Sequence, residues 1–216
     1  MKIQDDAILL YKNKRIFTLL TKNNGIVVAN YPFKYSIDMF NKGFINIDTE
    51  KSKYQDNAYN IIRDFQIEFY LKNDLKVFTI GNLFSELIIN TNFEDAYDLL
   101  LECILKIDNK NYKEVLLYFL FKMIKKVGLM QDLTNLNLDE NIYYNKQEFS
   151  KKVSDTKVEK DLIIYLLSLN FLNLDKALEL NFKEIKKLYH ILIDIILCYI
   201  EYSLNSINFI YNNKII

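Results

Sequence analysis

The spacing of apolar residues changes once along this chain, and that change limits what it can fold into. Over the first eighty positions apolar side chains form short runs or alternate with polar ones, as strands require; after Gly81 they recur every three to four residues, as helices require. Ala7-Ile8-Leu9-Leu10-Tyr11 is a first run, Arg15-Ile16-Phe17-Thr18-Leu19-Leu20-Thr21 a second, and Ile26-Val27-Val28-Ala29 a third. Lys22-Asn23-Asn24-Gly25 joins the last two, and an Asn-Gly turn between β-branched runs is a strong hairpin signal. A less regular segment spans 31–54. Arg63 to Leu71 then alternates polar and apolar, and Leu75-Lys76-Val77-Phe78-Thr79-Ile80 reads as a fifth strand after an Asn73-Asp74 turn. Five short strands suit a small closed barrel such as an OB-fold.

Beyond Gly81, Asn92 is placed to cap a helix that carries Glu94 and Asp95 in its first turn, where acids complement the helix dipole. A second helix is predicted from Tyr112 to Val127, stopping at Gly128. A polar, Asn-rich loop follows from Gln131 to Gln147, and helical spacing returns over Val158–Leu169 and Phe182–Asn205. The expected fold is therefore α+β, with a β-barrel over 1–80 and an all-α helical domain over 81–216. Charge divides the same way: residues 1–80 carry twelve Lys or Arg against nine Asp or Glu, and 81–216 sixteen against nineteen.

Chemistry-bearing patterns are sparse. His190, the only histidine, reads as a surface or packing residue, and four scattered glycines make no phosphate loop. Glu94, Asp95 and Asp98 fit helix first turns better than a metal site. Cys103 and Cys198 have no paired spacing and read as small core residues in a reducing compartment. No cofactor, metal, small-molecule substrate or catalytic residue is expected, so the protein is not read as an enzyme. Acids at Asp5 and Asp6 interrupt the start of any leader peptide, and the most apolar stretch, Ile191–Ile200, is too short to span a bilayer. A cytoplasmic location without membrane contact is expected.

What remains is a basic, aromatic-bearing front end. Lys12, Lys14, Arg15 and Lys22 fall on or beside the first hairpin, and Phe33, Lys34, Tyr35, Phe40 and Lys42 interleave rings with charge just after it. Single-strand binders combine cationic grooves with stacking rings in this way. The same spacing equally fits a solvated lysine face over an aromatic core.

Taken together, three stretches resemble the RecO family of bacterial recombination mediators. Arg15 to Val27 is similar to its first hairpin, with a T-x-L-T-x-x-x-G run at Thr18–Gly25. Leu117 to Leu133 is similar to a helix with a G-L-x-P-x-L exit, Gln131 standing where proline is usual; Ile195 to Ile210 resembles the closing helix. The resemblance implies an OB-fold that binds single- and double-stranded DNA through Lys12, Lys14, Arg15, Lys22, Lys34 and Lys42. It also implies strand annealing, pairing with RecR and loading of recombinase in DNA repair. The helical domain would offer an apolar groove, rimmed by Lys122, Lys125 and Lys126, to the acidic tail of single-strand-binding protein. Two departures alter the expectation. The stretch Thr134–Asp139 has no cysteine, so the family's four-cysteine zinc module is not expected; and 30–35 lacks the usual Gly and Arg, which implies a salt-sensitive DNA grip. The alternatives are a helical protein-interaction adaptor with little or no DNA binding, favoured by zero net charge, and an enzyme of unrecognised type.

Overall fold

The computed structural model describes residues 2–32, 37–51, 58–71, 74–145, 148–150, 156–180, 182–200 and 204–216, and divides into two compact units, Met1–Lys106 and Ile107–Ile216. The first holds β1 (Lys2–Asn13), β2 (Ile16–Thr21), β3 (Gly25–Asn30), β4 (Lys42–Lys51) and β5 (Ala58–Phe69). It continues with α1 (Leu75–Thr91), a 3-10 turn (Glu94–Ala96) and α2 (Tyr97–Lys106). Its strands close on themselves in the order β1-β2-β3-β5-β4, with β4 returning to β1; every pairing is antiparallel except β3–β5. Alternation along each strand sends Leu9, Phe17, Leu19, Val27, Ile45, Ile47 and Ile62 inward to one buried cluster. Ile8, Leu10 and Leu20 are also fully buried yet lie outside that cluster, on the outer face where α1 and α2 pack against β1.

The β2–β3 turn is held from beneath by a buried carboxylate. Asp5, 3% exposed, accepts from the Asn23 backbone N–H at 2.8 Å, from Asn23 Nδ2 at 2.7 Å and from Asn24 Nδ2 at 2.8 Å. Thr21 Oγ1 donates to the Gly25 carbonyl across the same turn. Gly25 has φ +65°, and a Cβ there would meet the Glu94 side chain at about 3 Å, so both conformation and space ask for glycine.

Four expectations for this unit change. Residues 75–80 are not a strand but the start of α1: Asp74 caps it by accepting from the Lys76 and Val77 N–H groups, and the buried positions continue through Leu83, Phe84, Leu87 and Ile88 at helical spacing. Six residues of alternation were too few to separate the two periods. The fifth strand is instead β4, inside the segment expected to be irregular, with Ile45 and Ile47 inward and Asn46 and Asp48 outward. The division expected after residue 80 falls inside α1. Asn92, expected to begin a helix, ends one: in the left-handed region at φ 49°, it turns its N–H to the Ile88 and Ile89 carbonyls.

The second unit holds α3 (Tyr112–Lys126), a 3-10 turn (Leu133–Asn135), β6 (Ile142–Asn145), β7 (Glu148–Ser150) and β8 (Thr156–Val158). Then come α4 (Lys160–Phe171), α5 (Leu174–Leu178), α6 (Ile185–Tyr199) and α7 (Asn205–Asn212). Helix α3 is buried almost all round, from Val115 through Phe121 without a break, and α4, α5 and α6 pack on it. Gly128 ends it as expected, at φ +78°, with Leu129 N–H donating to the Ile124 carbonyl.

This unit is not all-α as expected. The predicted loop contains β6, which pairs with β7 and β8 in a three-stranded sheet around Ile142, Tyr144, Phe149 and Val158. Strands of three or four residues are too short to register as alternation, and an aromatic cluster rather than length holds them. Gln131 closes the free edge of β7: its amide donates to the Phe149 carbonyl at 3.0 Å and accepts from the Phe149 N–H at 2.7 Å, as another strand would.

Three substitutions test these devices. Asp5→Ala removes the buried carboxylate that accepts three hydrogen bonds from the turn, and should cost about 3 kcal/mol in urea unfolding, whereas Asp38→Ala, which breaks only a surface pair, should cost about 1 kcal/mol or less. Gln131→Ala should speed hydrogen exchange at the Phe149 amide by about tenfold, the loss of one net hydrogen bond, and leave the α3 amides unchanged.

Candidate functional site

Antiparallel register sorts the outer face of β1, β2 and β3 into rows. Asn13, Ile16 and Asn30 form one; Tyr11, Thr18 and Val28 the next; Ile8, Leu20 and Ile26 the third. The third row is covered, with Ile8 and Leu20 fully buried. The first two are bare: Tyr11, Ile16 and Val28 are 50%, 54% and 53% exposed. Tyr11 reaches this face through a β-bulge. Leu9 pairs with Leu19, but Tyr11 pairs with Thr18, so Leu10 is the extra residue and the strand changes face there. Without the bulge Tyr11 would follow Leu9 inward.

Lys14 and Arg15 form the turn beside this face. Both are exposed, and neither side chain has a partner among the described residues; Lys14 sits in the left-handed region at φ 54°. The other predicted contacts disperse. Lys22 is exposed at the opposite end of β2, beyond the covered row. Lys12 turns to the buried side of its strand and donates to the Ile37 carbonyl at 2.9 Å and to Asp38 Oδ1 at 3.1 Å. Lys42 pairs with Glu68 and lies 3.9 Å from Asp6. Phe40, expected among the stacking rings, is fully buried; its edge lies against Gly81, where a Cβ would come within 2.9 Å, and Phe78 meets it edge-on at 5.7 Å. Phe33, Lys34 and Tyr35 lie outside the described residues.

The outer face of β4 and β5 has the opposite sign. Asp48, Glu50 and Asp64 stand there with Arg63, whose guanidinium bridges Asp48 at 3.1 Å and also pairs with Glu50. Among the described residues, Lys14 and Arg15 stand together as an exposed, adjacent pair of cations at the β1–β2 turn. Sequence reading missed Tyr11, Ile16 and Val28 as site residues: each falls within an apolar strand run, which does not tell which face is left bare. The unbroken run Ala7–Leu10, all fully buried, reflects a strand covered on both faces, and the bulge shows only in its pairing with β2.

In the second unit the lysines at the end of α3 separate. Lys122 is half-buried over the Tyr118 ring at 5.2 Å, so it packs rather than rims a groove. Lys125 and Lys126 are exposed in the last turn. Just past them a cleft of about 360 Å³ is lined by Gly128, Leu129, Ile195, Cys198 and Tyr199. Cys198 is exposed here, not a core residue as expected, while Cys103 is buried and its thiol pKa raised by that burial. A second cleft, of about 500 Å³, lies along one face of α4, where Tyr165 and Phe182 stack at 4.2 Å beneath Asp161 and Glu184. Burial, then the Glu114 carboxylate, pushes the Tyr165 hydroxyl up to about 12.

His190 packs against Tyr211, whose hydroxyl lies 2.8 Å from Nδ1, and the rings stack at 5.3 Å. Among the described residues no group of three His, Cys, Asp or Glu is placed to hold a metal ion, and no helix is long and apolar enough to cross a membrane. No protein-family model matches the chain, and no curated protein matches it significantly.

Proposed function

We propose that this chain is a DNA-binding protein of RecO type, acting by binding rather than by turnover. Its front end would be an OB-fold, and its helical unit a dock for RecR and for the tail of single-strand-binding protein. One observation carries the reading. The strand order β1-β2-β3-β5-β4, with its single parallel pair β3–β5, leaves the outer face of β2 and β3 bare beside a cationic turn. OB-folds hold oligonucleotides on that face and on the neighbouring loops. Bases would lie on Tyr11, Ile16 and Val28 while Lys14 and Arg15 neutralise phosphates.

The engagement of Lys12 and Lys42 in ion pairs, and the carboxylates on β4 and β5, favour the second reading, a protein-interaction adaptor with little DNA affinity. Titrating a labelled single-stranded oligonucleotide across a salt series separates the two. On the DNA-binding reading, Lys14→Ala/Arg15→Ala weakens all sequences alike and lowers the slope of log affinity against log salt by about 1.4, some 0.7 per phosphate contact. Lys12→Ala and Lys42→Ala leave that slope unchanged. Equal binding by the Lys14/Arg15 variant at low salt would move the site elsewhere.

The cleft lined by Leu129, Ile195 and Tyr199 begins at Gly128, just past Lys125 and Lys126 along the chain, and that nearness in sequence supports an acidic, apolar-ended peptide as its occupant. Lys125→Glu/Lys126→Glu should lower affinity for such a tail peptide about tenfold at low salt, measured by anisotropy, with circular dichroism unchanged.

A further inference from the structure

The bare face is small, and its borders bear on what it can hold. Toward the Thr21 end the row Ile8–Leu20–Ile26 is roofed, since α1 and α2 pack on β1 and the 3-10 turn at Glu94–Ala96 packs on β3. Beyond β3 the row through Ile16 and Asn30 continues through Ile61 to Asp48, beside Glu50. Beyond β1 lies Asp38, its side chain 73% exposed, tied to Lys12. A net negative cluster thus flanks the face beyond β3, the neutral Lys12–Asp38 pair lies beyond β1, and helices close a third side. Among the described residues at these borders, the β1–β2 turn, with Lys14 and Arg15, is both open and positive.

We infer that this surface is a short site for unpaired bases, holding about three nucleotides across β1, β2 and β3, and that the strand leaves over the Lys14–Arg15 turn rather than along the sheet. The inference rests on the DNA-binding reading above. Three strands at roughly 4.8 Å spacing span about 10 Å, and stacked nucleotides advance about 3.4 Å each. A longer path over the sheet would run its phosphates past Asp48 and Glu50, two carboxylates that share the single guanidinium of Arg63, where the net negative charge repels them. Tyr11, half exposed and set outward by the bulge, is the one ring on the bare rows, so the site needs bases whose faces are free. Paired bases in duplex present edges and phosphates instead.

The test uses the full chain and end-labelled oligo-dT of 2, 3, 4, 8 and 16 nucleotides at fixed low salt, with a 16-base-pair duplex as competitor. A three-nucleotide site predicts steep gain up to the trimer or tetramer. From 4 to 16 nucleotides the gain is then only about sevenfold, the growth in overlapping registers, and the duplex competes at least about tenfold less well than dT16. Tyr11→Ala should weaken dT4 binding about tenfold and Tyr11→Phe hardly at all, with thermal unfolding of both checked against the parent. A gain above about a hundredfold between 4 and 16 nucleotides would overturn the short site while leaving DNA binding intact. Unchanged dT4 binding in Tyr11→Ala would overturn its placement. No binding of dT16 at any salt would overturn the DNA-binding reading, and this inference with it.

Discussion

β1 has to satisfy two neighbours along one strand. Lys2–Ile8 pairs with β4 and Ala7–Asn13 pairs with β2, so the sheet can close only if twelve residues bend around the core. The bulge at Leu10 takes up that bend, since an extra unpaired residue tightens the local twist. Its consequences reach well beyond the ladder. Leu10 is freed to bury on the helix-covered side, Tyr11 is turned outward, and Lys12 is turned toward the Ile37 carbonyl. A single inserted residue therefore selects which ring and which cation stay available at the surface.

The same economy governs charge. The front end has a surplus of cations, yet Lys12, Lys42 and Arg63 are each held by carboxylates on or beside their own strands. Cross-strand pairs of this kind add little stability when exposed, but they remove charge from the field a ligand meets. What is left beside the bare rows is local: two cations on the β1–β2 turn, with Lys22 exposed at the far end of β2.

In the second unit apolar burial outweighs everything else. Helix α3 is surrounded, so its large side chains form the core and are not a surplus for partners. The small sheet depends on that core as well: Tyr144 is buried against Phe149 at 5.2 Å and its hydroxyl reaches the Ile191 carbonyl on α6 at 3.4 Å. Desolvation raises the Tyr144 hydroxyl pKa, which keeps it a neutral donor. Gln131 supplies by hydrogen bonding the edge protection that such short strands cannot supply themselves.

The amino-acid sequence by itself determined the α+β class, the β2–β3 hairpin, and the Gly128 stop of α3. Each of these is local: a period sustained over many residues, or a turn whose conformation one glycine decides. Tertiary structure decided the rest, for reasons that lie in pairing partners far along the chain. Whether 75–80 was strand or helix depended on the apolar positions that follow it, and β4 was recognisable only between β1 and β5. The candidate site was legible in its two turn cations and illegible in its surface. Lys12 and Lys42 looked free until a carbonyl and carboxylates from distant segments met them, and Phe40 looked exposed until Gly81 gave its ring a seat. Tyr11 is the clearest case: its identity is fixed by the sequence, but the face it presents is fixed by a register shift against β2, which no window along one strand contains.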